Sequence, residues 1–154
     1  MILDTNVLSA LMRTPPEAVV VAWLDRQSAD AIWITTITLF ETRLGLSLLP
    51  DGRRRHTLET AFARLLDVEL NNRVLPLDSA AAARAALLAA ERQRTGRTVD
   101  IRDTLIAGIA QARYATLATR NIQHFQDLTV PVVNPWQDPE PEALLGQENP
   151  DASH

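Results

Sequence analysis

Short apolar segments alternating with helix-length stretches constrain this chain more than any other feature. Residues 1 to 4 read as a very short strand stopped by Asp4-Thr5-Asn6, after which Val7, Leu8 and Leu11 recur at helical spacing. Pro15-Pro16 breaks that helix, and Pro16 stands where a proline can open the next, whose apolar run covers residues 18 to 24. Residues 31 to 35, AIWIT, have the β-branched and aromatic content of a buried strand, and the helix ITLFETRLGLSLL follows directly until Pro50-Asp51-Gly52 stops it. A helical stretch from about 53 to 70 leads to a strand at 74 to 77, where Asp78 is placed to cap an Ala-rich helix through Arg94. Gly96 ends that helix, another begins between Val99 and Asp103, and strands follow at 116 to 119 and 130 to 133. This alternation predicts an α/β chain with one short-stranded parallel sheet covered on both faces.

At 154 residues and 46% hydrophobic content, the chain suits one compact domain. The division expected is a folded domain over residues 1 to 136 and an acidic, Pro/Glu-rich mobile tail over 137 to 154. That tail carries Asp138, Glu140, Glu142, Glu148 and Asp151 with no Arg or Lys. Removing those five acids from 19 leaves 14 against 15 basic residues, so residues 1 to 137 stand near +1 despite a net charge of -4. Every basic residue is Arg, and the clusters Arg53-Arg54-Arg55 and Arg92, Arg94, Arg97, Arg102 are candidate phosphate contacts. The absence of cysteine excludes disulfides, thiolate metal sites and cysteine nucleophiles, and a cytoplasmic location is the default expectation. The N-terminus does not read as a signal peptide, and no stretch is long and apolar enough for a membrane span.

Three carboxylates carry the chemical argument. Asp4 falls where the first strand ends, and in open α/β sheets ligands bind at that carboxyl edge. Taken alone, it is equally a turn or cap residue. Glu41 shares a helical face with Ile37, Leu44 and Leu48, which should pack on the sheet, so it must meet a cation, a metal or a wet cleft. Its bland alternatives are a partner such as Arg43 or a helix rotated to turn Phe40 inward. Asp103 lies in line with Ile106 and Ala110, although Asp in a first helical turn can simply complement the helix dipole. Asp100, three residues earlier, is either a second acid on that face or the helix cap. Asn121 follows the strand at 117 to 119 at a second strand end expected beside the first, and is more often a turn residue there. Three carboxylates meeting at one edge repel by a few kcal/mol per close pair, so they call for a hard cation, Mg²⁺ or Mn²⁺. Such a site suits metal-assisted phosphodiester hydrolysis without a histidine base. The three histidines have no zinc-like spacing: His56 joins the basic cluster, His124 reads as a loop residue and His154 as part of the terminus.

Taken in order, LDTNVLSALMR at 3 to 13, FETRLGLSLLPDGRRR at 40 to 55, DTLIAGIA at 103 to 110, LATRNIQHF at 117 to 125 and the closing VVNPW resemble a PIN-domain ribonuclease, specifically a VapC-like toxin of the FitB-type branch. The resemblance covers about residues 1 to 136. It implies a Rossmann-like three-layer α/β/α sandwich, a divalent metal, a homodimer, an RNA substrate and an antitoxin that blocks the site. Asp4, Glu41 and Asp103 match the family's three acidic positions, which implies that they are catalytic and metal-binding. Asn121 matches a fourth polar position at which many relatives carry Asp, leaving the number of metal ions open. Thr5, Asn6 and Thr119 match polar residues lining the cleft, and Asp100 is an additional acid beside Asp103. Two other functions compete: a catalytically silent RNA-binding or regulatory module of the same fold, and a haloacid dehalogenase type of phosphatase. The latter is disfavoured because Asp4-Thr5-Asn6 lacks its second Asp.

Overall fold

The computed structural model describes residues 1–138. Five two-residue strands and six helices alternate along them: β1 (Ile2–Leu3), α1 (Thr5–Met12), α2 (Ala18–Asp25), β2 (Ile34–Thr35), α3 (Thr36–Leu48), α4 (Arg53–Arg64), β3 (Val74–Leu75), α5 (Ser79–Arg94), α6 (Ile101–Ala112), β4 (Leu117–Ala118) and β5 (Val132–Val133). Every strand pairing is parallel, in the strips β1-β4-β5 and β2-β3. A bridge between Ile2 and Trp33 joins the strips, with Leu3 N–H donating to Trp33 O at 2.8 Å and Trp33 N–H to Met1 O at 2.9 Å. The sheet order is therefore β3-β2-β1-β4-β5. It reverses direction between β1 and β4, the switch point beside which α/β sheets bind ligands.

Two-residue strands divide their side chains cleanly between the faces. Ile2 and Leu117 point into one core with Ala81, Leu88, Ile106 and Ile109 from α5 and α6. Leu3 and Ala118 point into the other, with Val7, Leu8, Val20, Trp23 and Phe62 from α1, α2 and α4. These are the three layers of an α/β/α sandwich. Gly108 lets α5 and α6 pack closely, since a Cβ there would lie 2.6 Å from Ala85 Cβ and 2.7 Å from Ala81 O.

Side-chain caps start the helices that frame the site. Asp4 caps α1 through Thr5 N–H, Thr35 caps α3 through Thr38 N–H, Asp78 caps α5 through Ala81 N–H, and Asp100 caps α6 through Arg102 N–H. At the far end of α5, Gly96 adopts the left-handed φ of 70°. Gly96 N–H then reaches Gln93 O and Arg97 N–H reaches Arg92 O, the paired bonds of a Schellman turn.

Three expectations change. The predicted strands overran by one to three residues, and residues 29 to 31 form a 3-10 turn before β2. The helix predicted over 53 to 70 is α-helical only to Arg64 and finishes as a π-helical turn over Leu65–Glu69. The α3 face was misassigned: it buries Thr38, Thr42 and Leu46, while Phe40, Leu44 and Leu48 are exposed, Leu48 at 76%. Rotating the helix this way seats threonines, which tolerate close packing, between α3 and the sheet edge. Most of the expected acidic tail lies outside the described residues. Its first two residues are tied to the domain, Gln137 N–H donating to Asn134 O and Asp138 accepting from Trp23 Nε1 at 2.9 Å. No helix among the described residues is long and apolar enough to cross a membrane.

Candidate active site

Asp4 occupies the switch point. The backbone N–H of this residue continues the sheet by donating to Ala118 O at 2.9 Å, which fixes the carboxylate just beyond the ends of β1 and β4. One oxygen accepts from Thr5 N–H at 2.8 Å and the other from the Thr119 hydroxyl at 2.7 Å. Asn6 Nδ2 donates to Thr119 Oγ1 at 3.3 Å, and Asn6 Oδ1 accepts from Arg120 N–H at 3.2 Å, so α1 and the segment after β4 are stitched together around this carboxylate. Only 4% of Asp4 is exposed. Burial pushes its carboxyl up to about 6; the bonds from Thr119 and Thr5 oppose that rise, and the nearby charges of Asp103 and Glu41 add to it.

Glu41 reaches the same cleft from α3. Its Oε1 accepts from the Thr5 hydroxyl at 2.9 Å, and its Oε2 lies 3.7 Å from Arg102, a loose ion pair. The cation facing Glu41 is therefore Arg102 of α6, not Arg43, whose guanidinium lies over the Phe62 ring. Asp103 comes from the first turn of α6, and its Oδ2 lies 2.9 Å from His124 Nδ1. Thus the structure brings Asp4, Glu41, Asp103, Thr5, Asn6 and Thr119 to one edge. Among the described residues, however, no three His, Asp or Glu side chains converge tightly enough to cage an ion as they stand. Glu41 and Asp103 are each drawn aside by a cationic or hydrogen-bonding neighbour.

Asn121 stands at the lip. Its backbone N–H donates to Thr119 Oγ1 at 3.1 Å, while its exposed side chain forms no hydrogen bond to a described residue. Asp100 is committed to capping α6 and pairs with Arg102 at 3.3 Å, which holds its carboxyl below the usual range. His124, expected to be an ordinary loop residue, is the contact that the sequence reading missed. It lies on the 3-10 turn Ile122–Phe125, and its only sequence signal was standing three residues after Asn121, the spacing that one helical turn brings to one side.

The arginine clusters separate sharply. Arg92 is buried: its guanidinium donates to both carboxylate oxygens of Asp127 at 2.9 Å, to Thr104 Oγ1 at 2.7 Å and to His124 O at 2.8 Å. That commitment removes it from any phosphate-binding role. Arg55 is likewise turned back onto Asp51 and Glu59. Arg53 and Arg54 form no ion pair with a described residue and line a groove with Arg13.

Comparison with known proteins places this geometry in a family. Residues 1–129 match the PIN domain family. The chain is 34% identical over 136 residues to the VapC ribonuclease Y4jK of Sinorhizobium fredii, an alignment covering 88% of this chain and 97% of the relative. It is also 34% identical over 137 residues to toxin FitB of Neisseria gonorrhoeae, covering 89% and 99%. Among solved structures, FitAB bound to an IR36 DNA fragment superposes with a TM-score of 0.80 at 33% identity, covering 90% of this chain and 97% of the other. The matched length, the sheet order and the acidic switch point agree: this chain belongs to the PIN-domain family.

Proposed function

We propose that this protein is a divalent-metal-dependent endoribonuclease that acts as the toxin of a type II toxin–antitoxin pair. The observation that carries the reading is the buried Asp4 carboxylate, with Glu41 and Asp103 as its charged neighbours at a sheet switch point. Like charges gathered around a desolvated acid favour binding of a counter-cation, and the nearby Arg102 faces Glu41 at 3.7 Å while Asp4 has no ion pair among the described residues. The relatives named a VapC ribonuclease and a toxin support the same chemistry and role.

The donors at this edge are all oxygen, which suits Mg²⁺ or Mn²⁺ over softer metals. Asp4, Glu41 and Asp103 would hold the ion, Glu41 and Asp103 exchanging Arg102 and His124 for it. When bound, such a cation neutralises charge on a phosphodiester and polarises phosphorus toward attack by water. The chain's own residues do the rest. Thr119 and Thr5 N–H fix the orientation of Asp4, the Thr5 hydroxyl orients Glu41, and Arg102, once released, is placed to meet a phosphate oxygen. Asn121 reaches the same lip with its amide uncommitted. The homodimer and the antitoxin belong to this reading too; the exposed Phe40, Leu44 and Leu48 of α3 supply apolar surface of the kind protein partners cover.

The test is single-turnover cleavage of a mixed RNA pool with Mg²⁺ and with EDTA, for the wild type and Asp4→Asn. The expected result is metal-dependent cleavage by the wild type, reduced at least about 100-fold in Asp4→Asn by loss of transition-state stabilisation. Equal cleavage by the folded variant would refute the assignment. Absence of cleavage in both, with retained RNA binding, would favour a silent binding module.

A further inference from the structure

Next to the acidic edge, Arg120, Asn121, Gln123, His124, Asn134 and Gln137, with Ile122 among them, line an open cavity of about 310 Å³. The segments after β4 and β5 supply these residues, so the cavity opens beside Thr119 and hence beside Asp4. The volume is at the small end for a ligand pocket, the size of one planar heterocycle with part of its sugar. Four of the seven side chains are carboxamides. Those of Asn121, Gln123 and Gln137 form no hydrogen bond to a described residue, and Asn134 uses only its Oδ1, accepting from Trp136 N–H at 2.9 Å, which leaves its NH₂ free. His124, which also lines the cavity, engages Asp103 through Nδ1.

A cluster of unspent amides has a specific meaning. Each carboxamide presents one donor and one acceptor in a plane, the complement of a nucleobase edge, and offers nothing special to a bare phosphate. Single-stranded RNA is read this way, by splaying one base out and pairing its edges with side chains. The wall is also rigid. Arg120 stacks its guanidinium on the Trp136 ring at 4.8 Å, Trp136 Nε1 donates to Glu17 Oε2 at 2.6 Å, and Arg120 N–H is held by Asn6. A base seated here therefore meets amides beside a segment braced against Asn6 of α1, the helix that Asp4 caps.

We infer that this cavity is a nucleobase-specificity pocket, receiving the base next to the phosphodiester at Asp4 and choosing it through Asn134, Gln137 and Gln123. The inference rests on the ribonuclease reading for its consequence, sequence preference, but not for the binding itself. Two measurements separate them. In the first, AMP, GMP, CMP and UMP are titrated into the metal-free full-length chain while the Trp136 indole and the Asn134 and Gln137 side-chain amide signals are followed by NMR. One nucleotide should shift these signals more than the other three. Gln123→Ala/Gln137→Ala should weaken that binding, and Asn134→Ala should weaken it further unless loss of its cap on Trp136 unfolds the loop.

In the second, cleavage ends in a mixed RNA pool are mapped. The wild type should favour one base at one position beside the cut, and Gln123→Ala/Gln137→Ala should flatten that preference by about 5- to 150-fold, the range for losing one bidentate base contact. Equal shifts for all four nucleotides, no shift at all, or an unaltered preference in the double variant would overturn the pocket. Selective nucleotide binding without RNA cleavage would retain the pocket and remove only the nuclease.

Discussion

Asp4 and Arg92 are both charged and both almost wholly removed from water, at 4% and 3% exposure, yet their surroundings are opposite. Around Arg92 the fold supplies a carboxylate with two oxygens, a hydroxyl and a carbonyl, so four of its five N–H donors meet an acceptor and Asp127 is held below the usual carboxylate range. Around Asp4 the fold supplies hydrogen bonds from Thr5 N–H and the Thr119 hydroxyl, a longer one from Asn6 Nδ2 at 3.5 Å, and then two more acids. The first arrangement is structural: it clamps α5 and α6 to the 3-10 turn that presents His124. The second leaves Asp4 without an ion pair among the described residues, and in the proposed function a cation from outside would answer that charge, which separates a site from a strut.

This contrast can be broken from either side. The largest expected stability change is at the strut. Arg92→Ala leaves Asp127 without its bidentate partner and should cost about 3 kcal/mol or more in urea denaturation, whereas Arg92→Met combined with Asp127→Leu should recover much of that loss. A double variant as unstable as the single one would show that the bonds to Thr104 Oγ1 and His124 O, which Met cannot make, hold the clamp.

At the site the sign reverses. The Asp4 carboxyl rises from 3.8 to about 6 on folding, so the metal-free folded protein retains a proton there that the unfolded chain releases. Its contribution to stability is therefore intact below about pH 4, falls as pH rises toward 6, and is flat beyond. The span, at ~1.4 kcal/mol per unit, comes to ~3 kcal/mol. Asp127 works in the opposite sense, losing stability as pH falls, so the quantity to measure is the difference between wild type and Asp4→Asn. Thermal unfolding at pH 4 and pH 7 should show the variant gaining on the wild type at the higher pH; parallel curves would contradict the buried-charge account.

Adding the ion should close the gap from the other direction. Mg²⁺ at about 100 times its dissociation constant should stabilise the wild type by ~2.7 kcal/mol and leave Asp4→Asn nearly unmoved. Equal stabilisation of both would place the ion elsewhere. The smallest effect is expected at the surface pairs: Arg55→Ala removes contacts to Asp51 and Glu59 and should leave the melting temperature essentially unchanged, as exposed i,i+4 pairs usually do.

Much of this architecture was legible along the chain. The caps Asp78 and Gly96, the stop at Pro50-Gly52 and the strand-to-helix turn at Asp4 all follow from local backbone preferences, and local preferences survive in the fold. Glu41 was singled out as a carboxylate on a presumed core face. It does line the cleft, but the face argument failed, because α3 buries Thr38, Thr42 and Leu46 instead of Leu44 and Leu48. Hydrophobic periodicity cannot distinguish a leucine that packs on the sheet from one left on an outer apolar face. His124 and Arg92 were misread for a related reason: both are defined by partners 21 and 35 residues away, at Asp103 and Asp127.

What the amino-acid order settled by itself is the alternation of strand and helix, the caps and stops at Asp78, Gly96 and Pro50-Gly52, and the presence of an acid where the first strand ends, since each depends on neighbours within a few residues. Tertiary structure alone decided which strands lie side by side, and through that pairing of β1 with β4 brought Thr119 within 2.7 Å of Asp4 across 115 positions of chain. It also decided which charges are answered internally and which are not. Coulomb and desolvation energies depend on distance through space and on access of water, and neither is written in the spacing of residues along a chain.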